Sequence, residues 1–153
     1  MLAGDYPGAI ESLGAAIRDR RDDAEAIFLR GLARERLGSD KAAQDDYNLA
    51  SRVALTEASK AGDAHHYRGI WLFRRGDYAH AESEFAASLN SGVDPAAQAD
   101  VMAWWRMAAV ARGECEASAR YLRDSLATVS GFFPKGEAED LLGKCGSVAA
   151  RLP

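Results

Sequence analysis

Residues Tyr67–Leu89, YRGIWLFRRGDYAHAESEFAASL, predict two helices joined by a tight turn. Gly76 interrupts the stretch and is followed by an aspartate, a pair that ends one helix and starts the next. Beyond the turn, Ala81 and Phe85 stand four residues apart, on one face of the second helix. In the first helix, Gly69 leaves room for another helix to approach closely. The stretch therefore predicts a helix hairpin with one buried face.

Similar hairpins recur along the chain, in register with their turn glycines. These glycines are Gly4, Gly38, Gly76 and Gly113. Their successive spacings are 34, 38 and 37 residues. In this register Ala43 matches Ala81, and Tyr47 matches Phe85. Because a lone hairpin cannot bury its apolar face, we expect neighbouring hairpins to stack and share one continuous core.

A helix-turn-helix unit of about 34 residues is typical of tetratricopeptide repeats, and the chain resembles that family over roughly residues 4–129. The matching positions are Gly31, Ala43, Tyr47 and Ala50 in one repeat, and Gly69, Gly76, Asp77, Tyr78, Ala81 and Phe85 in the next. The last repeat departs from the pattern at Arg106, where the family has glycine, and at Ser118, where it has alanine. The proline that usually ends such repeats is missing. The resemblance implies an all-α fold, an α-solenoid of antiparallel helix hairpins (a TPR-like superhelix), with about 3.5 repeats and a C-terminal capping helix.

By this resemblance, residues 1–153 form a single TPR-like domain. Its segments are a half repeat at 4–22, a repeat at 23–60, a repeat at 62–91, a degenerate repeat at 94–129 and a capping helix at 137–152. The third helix, from about Asp40, is predicted to continue to about Lys60, before Gly62 stops it. Since the chain begins at a turn and solenoid ends are normally capped, we expect Met1 to be a cut through a longer repeat protein, unless this edge meets another subunit.

Charge and hydropathy limit the classes of partner. The formal net charge is -4, which argues against nucleic acid, because phosphate contacts need a basic surface. No apolar run approaches the roughly 18 residues that a membrane-spanning helix needs. No secretory signal pattern is visible at the N-terminus, so the signal of an exported protein would lie outside this chain. The sequence leaves both a cytoplasmic and a periplasmic location open.

In tetratricopeptide proteins, the first helices of the repeats line a concave groove that holds a peptide or a partner segment. By this resemblance the groove residues are Phe28, Leu32, Arg36, His66, Tyr67, Ile70, Phe73, Arg74, Asp100, Trp104 and Met107. Co-chaperone members clamp a terminal carboxylate there with lysine and asparagine, and this chain has neither residue at the corresponding positions. Those positions are Phe28, Leu32, His66 and Ile70. Such an apolar and aromatic groove suits an amphipathic helix or an extended apolar segment of a partner protein.

The alternative is that several of these residues belong to the core. Trp104 and Trp105 are neighbours, which point about 100° apart on a helix. We expect Trp105 in the core and Trp104 in the groove. His65 and His66 are also adjacent, so they diverge and suit solvated side chains better than a metal site.

The two cysteines, Cys115 and Cys145, are 30 residues apart. A disulfide between them would pin the capping helix to the last repeat and would indicate an oxidising compartment. Two free thiols are at least as compatible with this spacing. No CxxC or Cys-His pattern indicates zinc or thiol catalysis.

Patterns of enzyme active sites are missing from the sequence, which contains no GxSxG, HExxH or phosphate-binding glycine loop. We therefore expect no enzyme activity and no cofactor. The leading hypothesis is a protein–protein interaction module that binds a partner peptide or helix in its groove. The alternative is a structural segment of a larger bacterial repeat protein, in the periplasm or elsewhere, or a homo-oligomer that associates through the N-terminal edge.

Overall fold

The structure is a computed structural model that describes residues 4–149, with side chains described for residues 4–146. This part of the chain contains eight α-helices and a short 3-10 helix, and it has no β-strand. The α-helices are α1 (Tyr6–Asp19), α2 (Ala24–Arg36), α3 (Asp40–Ala54), α4 (Ala61–Arg74), α5 (Tyr78–Ser91), α6 (Pro95–Ala111), α7 (Ala117–Ser125) and α8 (Lys135–Ala149). The predicted all-α fold is confirmed for the described residues.

Helices that are consecutive in the chain pack against each other from α1 to α7. The last helix, α8, packs on both α6 and α7. Helices α4 and α6 also touch, and the ring of Phe28 on α2 stacks on that of Tyr67 on α4, with centroids 4.5 Å apart. Helices α2, α4 and α6 therefore lie side by side, with α4 in the middle.

Three of the interhelical turns have the same backbone geometry. Gly38, Gly76 and Gly113 follow α2, α4 and α6, and their φ angles are 80°, 80° and 107°. After each glycine, the next N–H donates to the carbonyl five residues earlier, at 2.9 to 3.0 Å. This is the Schellman arrangement, in which a residue with positive φ closes the helix end. Glycine is suited to it because it has no side chain to clash.

Two of the hairpins share the same close contact between a glycine and an aromatic ring. A Cβ atom at Gly31 would lie 2.9 Å from Cε1 of Tyr47, and one at Gly69 would lie 2.5 Å from Cε1 of Phe85. Both rings are fully buried. In each hairpin the missing side chain on the first helix admits the ring of the second helix. In the next hairpin, Leu122 is the fully buried residue of α7.

The prediction that the third helix continues to about Lys60 was wrong. Helix α3 ends at Ala54, where the Thr56 hydroxyl donates to the Val53 carbonyl at 2.7 Å and competes with the helical pattern. Gly62 stops no helix, since it lies in the first turn of α4. A Cβ at Gly62 would lie 2.1 Å from the carbonyl oxygen of Gly92. The glycine therefore permits a tight contact between helices instead of ending one.

Helix α8, which the sequence predicts as a capping helix from about Glu137, begins two residues earlier, at Lys135. Its predicted end at Leu152 lies outside the described residues, as does Met1. A disulfide joins Cys115, just before α7, to Cys145 on α8, with Cα atoms 5.4 Å apart. The bridge and the packing of α8 on α6 and α7 hold this helix against the preceding hairpin.

Candidate functional site

A cavity of about 510 Å³ lies at the starts of α2, α4 and α6. The first three turns of these helices provide most of its lining. The loop between α7 and α8 adds Ser130 and Phe132. Asp100 of α6 holds this loop in place, because it accepts hydrogen bonds from the Ser130 backbone N–H, at 2.7 Å, and from the Ser130 hydroxyl. Phe132 is one of the exposed aromatic residues of the chain, so it offers a ring at the cavity's edge.

Aromatic rings form one wall of the cavity. The rings of His66 and Tyr67 lie 5.7 Å apart, and that of Phe28 lies 5.7 Å from His66. Trp104 also lines the cavity and packs edge-on against Phe73, with centroids 5.2 Å apart. The four rings of this wall are each at most 9% exposed, and Phe73 packs against Trp104 from the core.

Carboxylates outnumber basic groups in the rest of the lining. The carboxylates are Asp23, Glu25, Asp63, Asp94 and Asp100, and the basic residues are Arg20 and Lys60. Both basic side chains pair with carboxylates outside the lining, Arg20 with Asp22 at 3.9 Å and Lys60 with Glu57 at 3.3 Å. The cavity is therefore negatively charged.

Two of the carboxylates cap helices. Asp23 accepts a hydrogen bond from the Ala26 N–H and Asp94 accepts one from the Ala96 N–H, both at 3.0 Å. Such capping satisfies backbone donors that the first turn of a helix leaves free. Glu25 makes no side-chain hydrogen bond or ion pair with any other residue in the described part of the chain.

The carboxylates are close enough to perturb one another and the aromatic wall. Burial raises the pKa of Asp63, and the negative charge of Asp94 raises it further, while Lys60 opposes both effects. Burial also raises the pKa of Tyr67, helped by the charges of Asp63, Glu25 and Asp23. Besides burial, three of the lining carboxylates therefore disfavour ionisation of the Tyr67 phenol.

His66 lines the same cavity and is 7% exposed. Its Nε2 atom is buried and has no hydrogen-bond partner among the described residues. Burial lowers the pKa of His66 from 6.5 to about 4, because the charged imidazolium would lose its hydration. At neutral pH the ring is therefore uncharged and carries an unsatisfied polar atom. Such atoms are rare in protein interiors.

The structure distributes the eleven predicted groove residues over three environments. Those that line the cavity are Phe28, His66, Tyr67, Asp100 and Trp104. Those that lie in the core, at most 5% exposed, are Leu32, Ile70, Phe73 and Met107. Arg36 and Arg74 stand at the opposite ends of α2 and α4 from the cavity. Arg36 is exposed and donates to the Gly131 carbonyl at 3.3 Å.

We expected Trp105 in the core and Trp104 in the groove. The expectation for Trp105 was wrong, because Trp104 is the more deeply buried of the two. Trp104 is 3% exposed, and it lines the cavity as well. Trp105 is only partly buried, and the Arg106 guanidinium lies 4.7 Å from its ring centroid. Both tryptophans touch other side chains, but Trp104 has the deeper position because α6 directs it between α4 and the loop after α7.

Arg74 takes part in an ion network and is not free to contact a ligand. Its guanidinium donates to both carboxylate oxygens of Glu35, at 2.6 and 3.1 Å, and to Glu137 at 2.7 Å. It also lies 5.3 Å from the ring centroid of Trp104. The network ties α2, α4 and α8 together, and the two carboxylates raise the pKa of Arg74 against the effect of its burial. Its contacts are therefore those of a structural residue.

Several lining residues are not among the groove residues predicted from the sequence, among them Glu25, Asp94 and Phe132. A signal for two of them is present, since acidic residues recur at the starts of α2 and α6. The same pattern serves helix capping, so it does not by itself mark a site. Nothing in the sequence indicates that the loop after α7 reaches the cavity.

No group of three or more His, Cys, Asp or Glu residues within the described range could hold a metal ion. His65 pairs instead with Glu84 at 2.7 Å. Among the described helices, none is long and apolar enough to cross a membrane. No protein-family model matches the chain, and no curated protein matches it either.

Proposed function

We propose that the chain is a TPR-like α-solenoid that binds a peptide or helical segment of a partner protein across α2, α4 and α6. The shared Schellman turns and the repeated glycine–aromatic contacts support the repeat architecture. So does the spacing of the turn glycines, close to the length of a tetratricopeptide repeat. In this reading α8 is the C-terminal cap that covers the last hairpin.

The cavity is the single observation that carries the binding role. It joins the first helices of three successive hairpins and has an aromatic wall. Concave sites with aromatic lining and a few converging polar groups are the usual form of ligand and peptide sites. Five of the predicted groove residues line the cavity, each at most 9% exposed, and Phe73 packs against Trp104 from the core.

Peptide display on the disulfide-intact protein tests this role. A random peptide library is selected on the wild-type protein, and affinities of the selected peptides are measured by fluorescence anisotropy. Ala96→Trp fills the cavity, because Ala96 lines it and is exposed. The matched control is Ala79→Trp, since Ala79 is also the exposed second residue of a helix capped by aspartate, but lies outside the cavity.

The proposal predicts that the selected peptides bind the wild-type protein and the Ala79→Trp control equally. Binding to Ala96→Trp should fall at least about tenfold, because the bulky ring occupies the space of the ligand. Circular dichroism checks that all three proteins are folded. Equal binding to the folded Ala96→Trp protein would place the peptide elsewhere on the surface.

A structural role is the second candidate, favoured by helix α1. None of its residues is buried, although Ile10 and Ile17 pack against the core. Such an edge could join further repeats or a second copy of the chain. The disulfide suits an oxidising compartment such as the periplasm. Light scattering over a range of concentrations tests this role, and a strictly monomeric protein would count against self-association through α1.

A further inference from the structure

We propose that the cavity at the starts of α2, α4 and α6 is a subsite for one basic side chain, lysine or arginine, of the bound peptide. This inference rests on the proposed function and adds the chemical class that the peptide must carry. It joins three independent features of the cavity, namely its charge, its aromatic wall and its unpaired imidazole.

The first feature is the excess of negative charge. Five carboxylates line the cavity against two basic residues, of which Lys60 pairs with Glu57 and also offsets part of the charge at Asp63. Glu25 and Asp63 have no ion-pair partner within 4.0 Å among the described residues. Burial raises the pKa of Asp63, and the negative charge of the exposed Asp94 raises it further. A bound cation opposes both effects, because it stabilises the ionised form of Asp63.

The second feature is the aromatic wall. Cations bind favourably over the faces of tryptophan, tyrosine and phenylalanine rings, and arginine does so most often. Phe28 and Tyr67 line the cavity and stack on each other, with centroids 4.5 Å apart, so each ring keeps one face that the other does not cover. Trp104 already has a cation of the chain beside it, since the Arg74 guanidinium lies 5.3 Å from its centroid and Phe85 stacks on the same ring. An aromatic wall beside carboxylates matches a side chain with an apolar stem and a charged end.

The third feature is the unpaired Nε2 of His66, which is buried beside the cavity. A neutral imidazole has one nitrogen that accepts hydrogen bonds. An ammonium or guanidinium group carries donors only, so it can satisfy Nε2 in the tautomer whose proton is on Nδ1. An apolar side chain would leave the nitrogen unpaired and would also remove water from the carboxylates, at a cost in affinity.

The main competing ligand is an anion, because helix starts attract negative charge. Here the capping aspartates occupy these positions. Asp23 accepts from the Ala26 N–H and Asp94 accepts from the Ala96 N–H, each at 3.0 Å. The first turns of α2 and α6 are therefore already neutralised by the chain's own carboxylates, and an acidic ligand would be repelled.

The test uses the full chain, with its disulfide intact and labelled with ¹⁵N. The probes are acetylated and amidated pentapeptides of sequence Ala-Leu-X-Leu-Ala, where X is arginine, lysine, citrulline, norleucine or glutamate. NMR titration gives the dissociation constant and the amides that shift. We expect the arginine or lysine peptide to bind at least about tenfold more tightly than the citrulline and norleucine peptides. The shifts should centre on Glu25, Asp63 and Ala97, which line the cavity.

Three variants test whether the cavity carboxylates cause the preference for a basic side chain. Glu25→Gln and Asp63→Asn each remove one cavity charge, and each should weaken the arginine peptide about threefold while leaving the citrulline peptide unchanged. Asp40→Asn is the matched control, since Asp40 is an exposed residue in the first turn of α3 and lies outside the cavity. It removes the same charge and should leave both affinities unchanged.

The outcomes separate this inference from the proposed function. The basic subsite is overturned if the arginine, citrulline and norleucine peptides bind with equal affinity, or if none of them binds. In either case, display-selected peptides that Ala96→Trp blocks would still support the peptide site. If no selected peptide is blocked by Ala96→Trp, the proposed function fails and the subsite fails with it. If ethylguanidinium alone binds as tightly as the arginine peptide, the cavity is a site for a small free cation and the peptide assignment is overturned.

Discussion

The buried imidazole of His66 should make the protein lose stability in mild acid. Burial lowers its pKa from 6.5 to about 4 in the folded state. Above pH 6.5 the ring is neutral in both states and has no pH-dependent effect. Between pH 6.5 and pH 4 the unfolded chain binds a proton that the folded chain does not. The free energy of unfolding therefore falls as the pH is lowered through this window, and the loss is complete below pH 4.

The size of this loss follows from the gap between the two pKa values. Each pH unit of that gap corresponds to about 1.4 kcal/mol, so the complete loss is about 3 kcal/mol. At pH 4.5 most of it, about 2.5 kcal/mol, should already be visible. Because His66 is only 7% exposed, solvent screening reduces this figure little.

Replacing His66 by phenylalanine isolates the effect. The ring that packs against Phe28 and Tyr67 is kept, while the titrating nitrogens are removed. Urea unfolding followed by circular dichroism gives the stability of both proteins at pH 8, 7, 6, 5 and 4.5. The comparison cancels the other groups that face the cavity, including Asp63 and Asp100, since both proteins contain them.

The difference at pH 8, where the imidazole is uncharged, measures the pH-independent cost of the substitution. Between pH 7 and pH 4.5 the wild-type protein should lose about 2 to 3 kcal/mol more stability than His66→Phe. Parallel stability curves for the two proteins would contradict this prediction, because they would mean that folding does not change the proton affinity of His66.

Three further predictions concern the scaffold, and urea unfolding at pH 7 measures each of them. Replacing Cys115 and Cys145 by serine should lower the free energy of unfolding by roughly 3 to 4 kcal/mol, since the bridge closes a loop between residues 30 apart. A loss below about 1 kcal/mol would contradict this estimate from loop entropy. Gly69→Ala should cost about 1 to 3 kcal/mol, because the new Cβ would lie 2.5 Å from Cε1 of Phe85; unchanged stability would mean that the ring moves freely. Arg74→Ala should cost about 2 to 4 kcal/mol, because it leaves two half-buried glutamates without a partner. A neutral result there would show that water replaces the guanidinium fully.

The all-α fold could be predicted because its signals are local. Gly38 and Gly76 mark turns that need positive φ, and the following aspartate or serine starts the next helix. The spacing of Ala81 and Phe85 gives the buried face of a helix without any knowledge of its neighbours.

The end of α3 could not be predicted in the same way. The residues after Ala54 favour helix about as well as those before it. Gly62 resembles a helix breaker in the sequence, but its role is to let α4 approach the Gly92 carbonyl. That contact joins residues 30 positions apart, so it depends on tertiary packing.

The candidate site was anticipated only in part. The resemblance to tetratricopeptide repeats selects positions on the first helices, and five of these line the cavity. It does not determine how deeply each side chain lies, and Ile70 and Met107 are fully buried because large apolar side chains gain most from leaving water. The acidic lining was missed because Asp23 and Asp94 also have the ordinary role of capping helices.

The most direct test of the central claim is an NMR measurement of intermolecular contacts in the complex with a display-selected peptide. We expect nuclear Overhauser effects between the methylene protons of one lysine or arginine in the peptide and the ring protons of Phe28 and Tyr67, which line the cavity. Contacts from the peptide to α3, α5 or α1 alone, with none to these two rings, would contradict the claim.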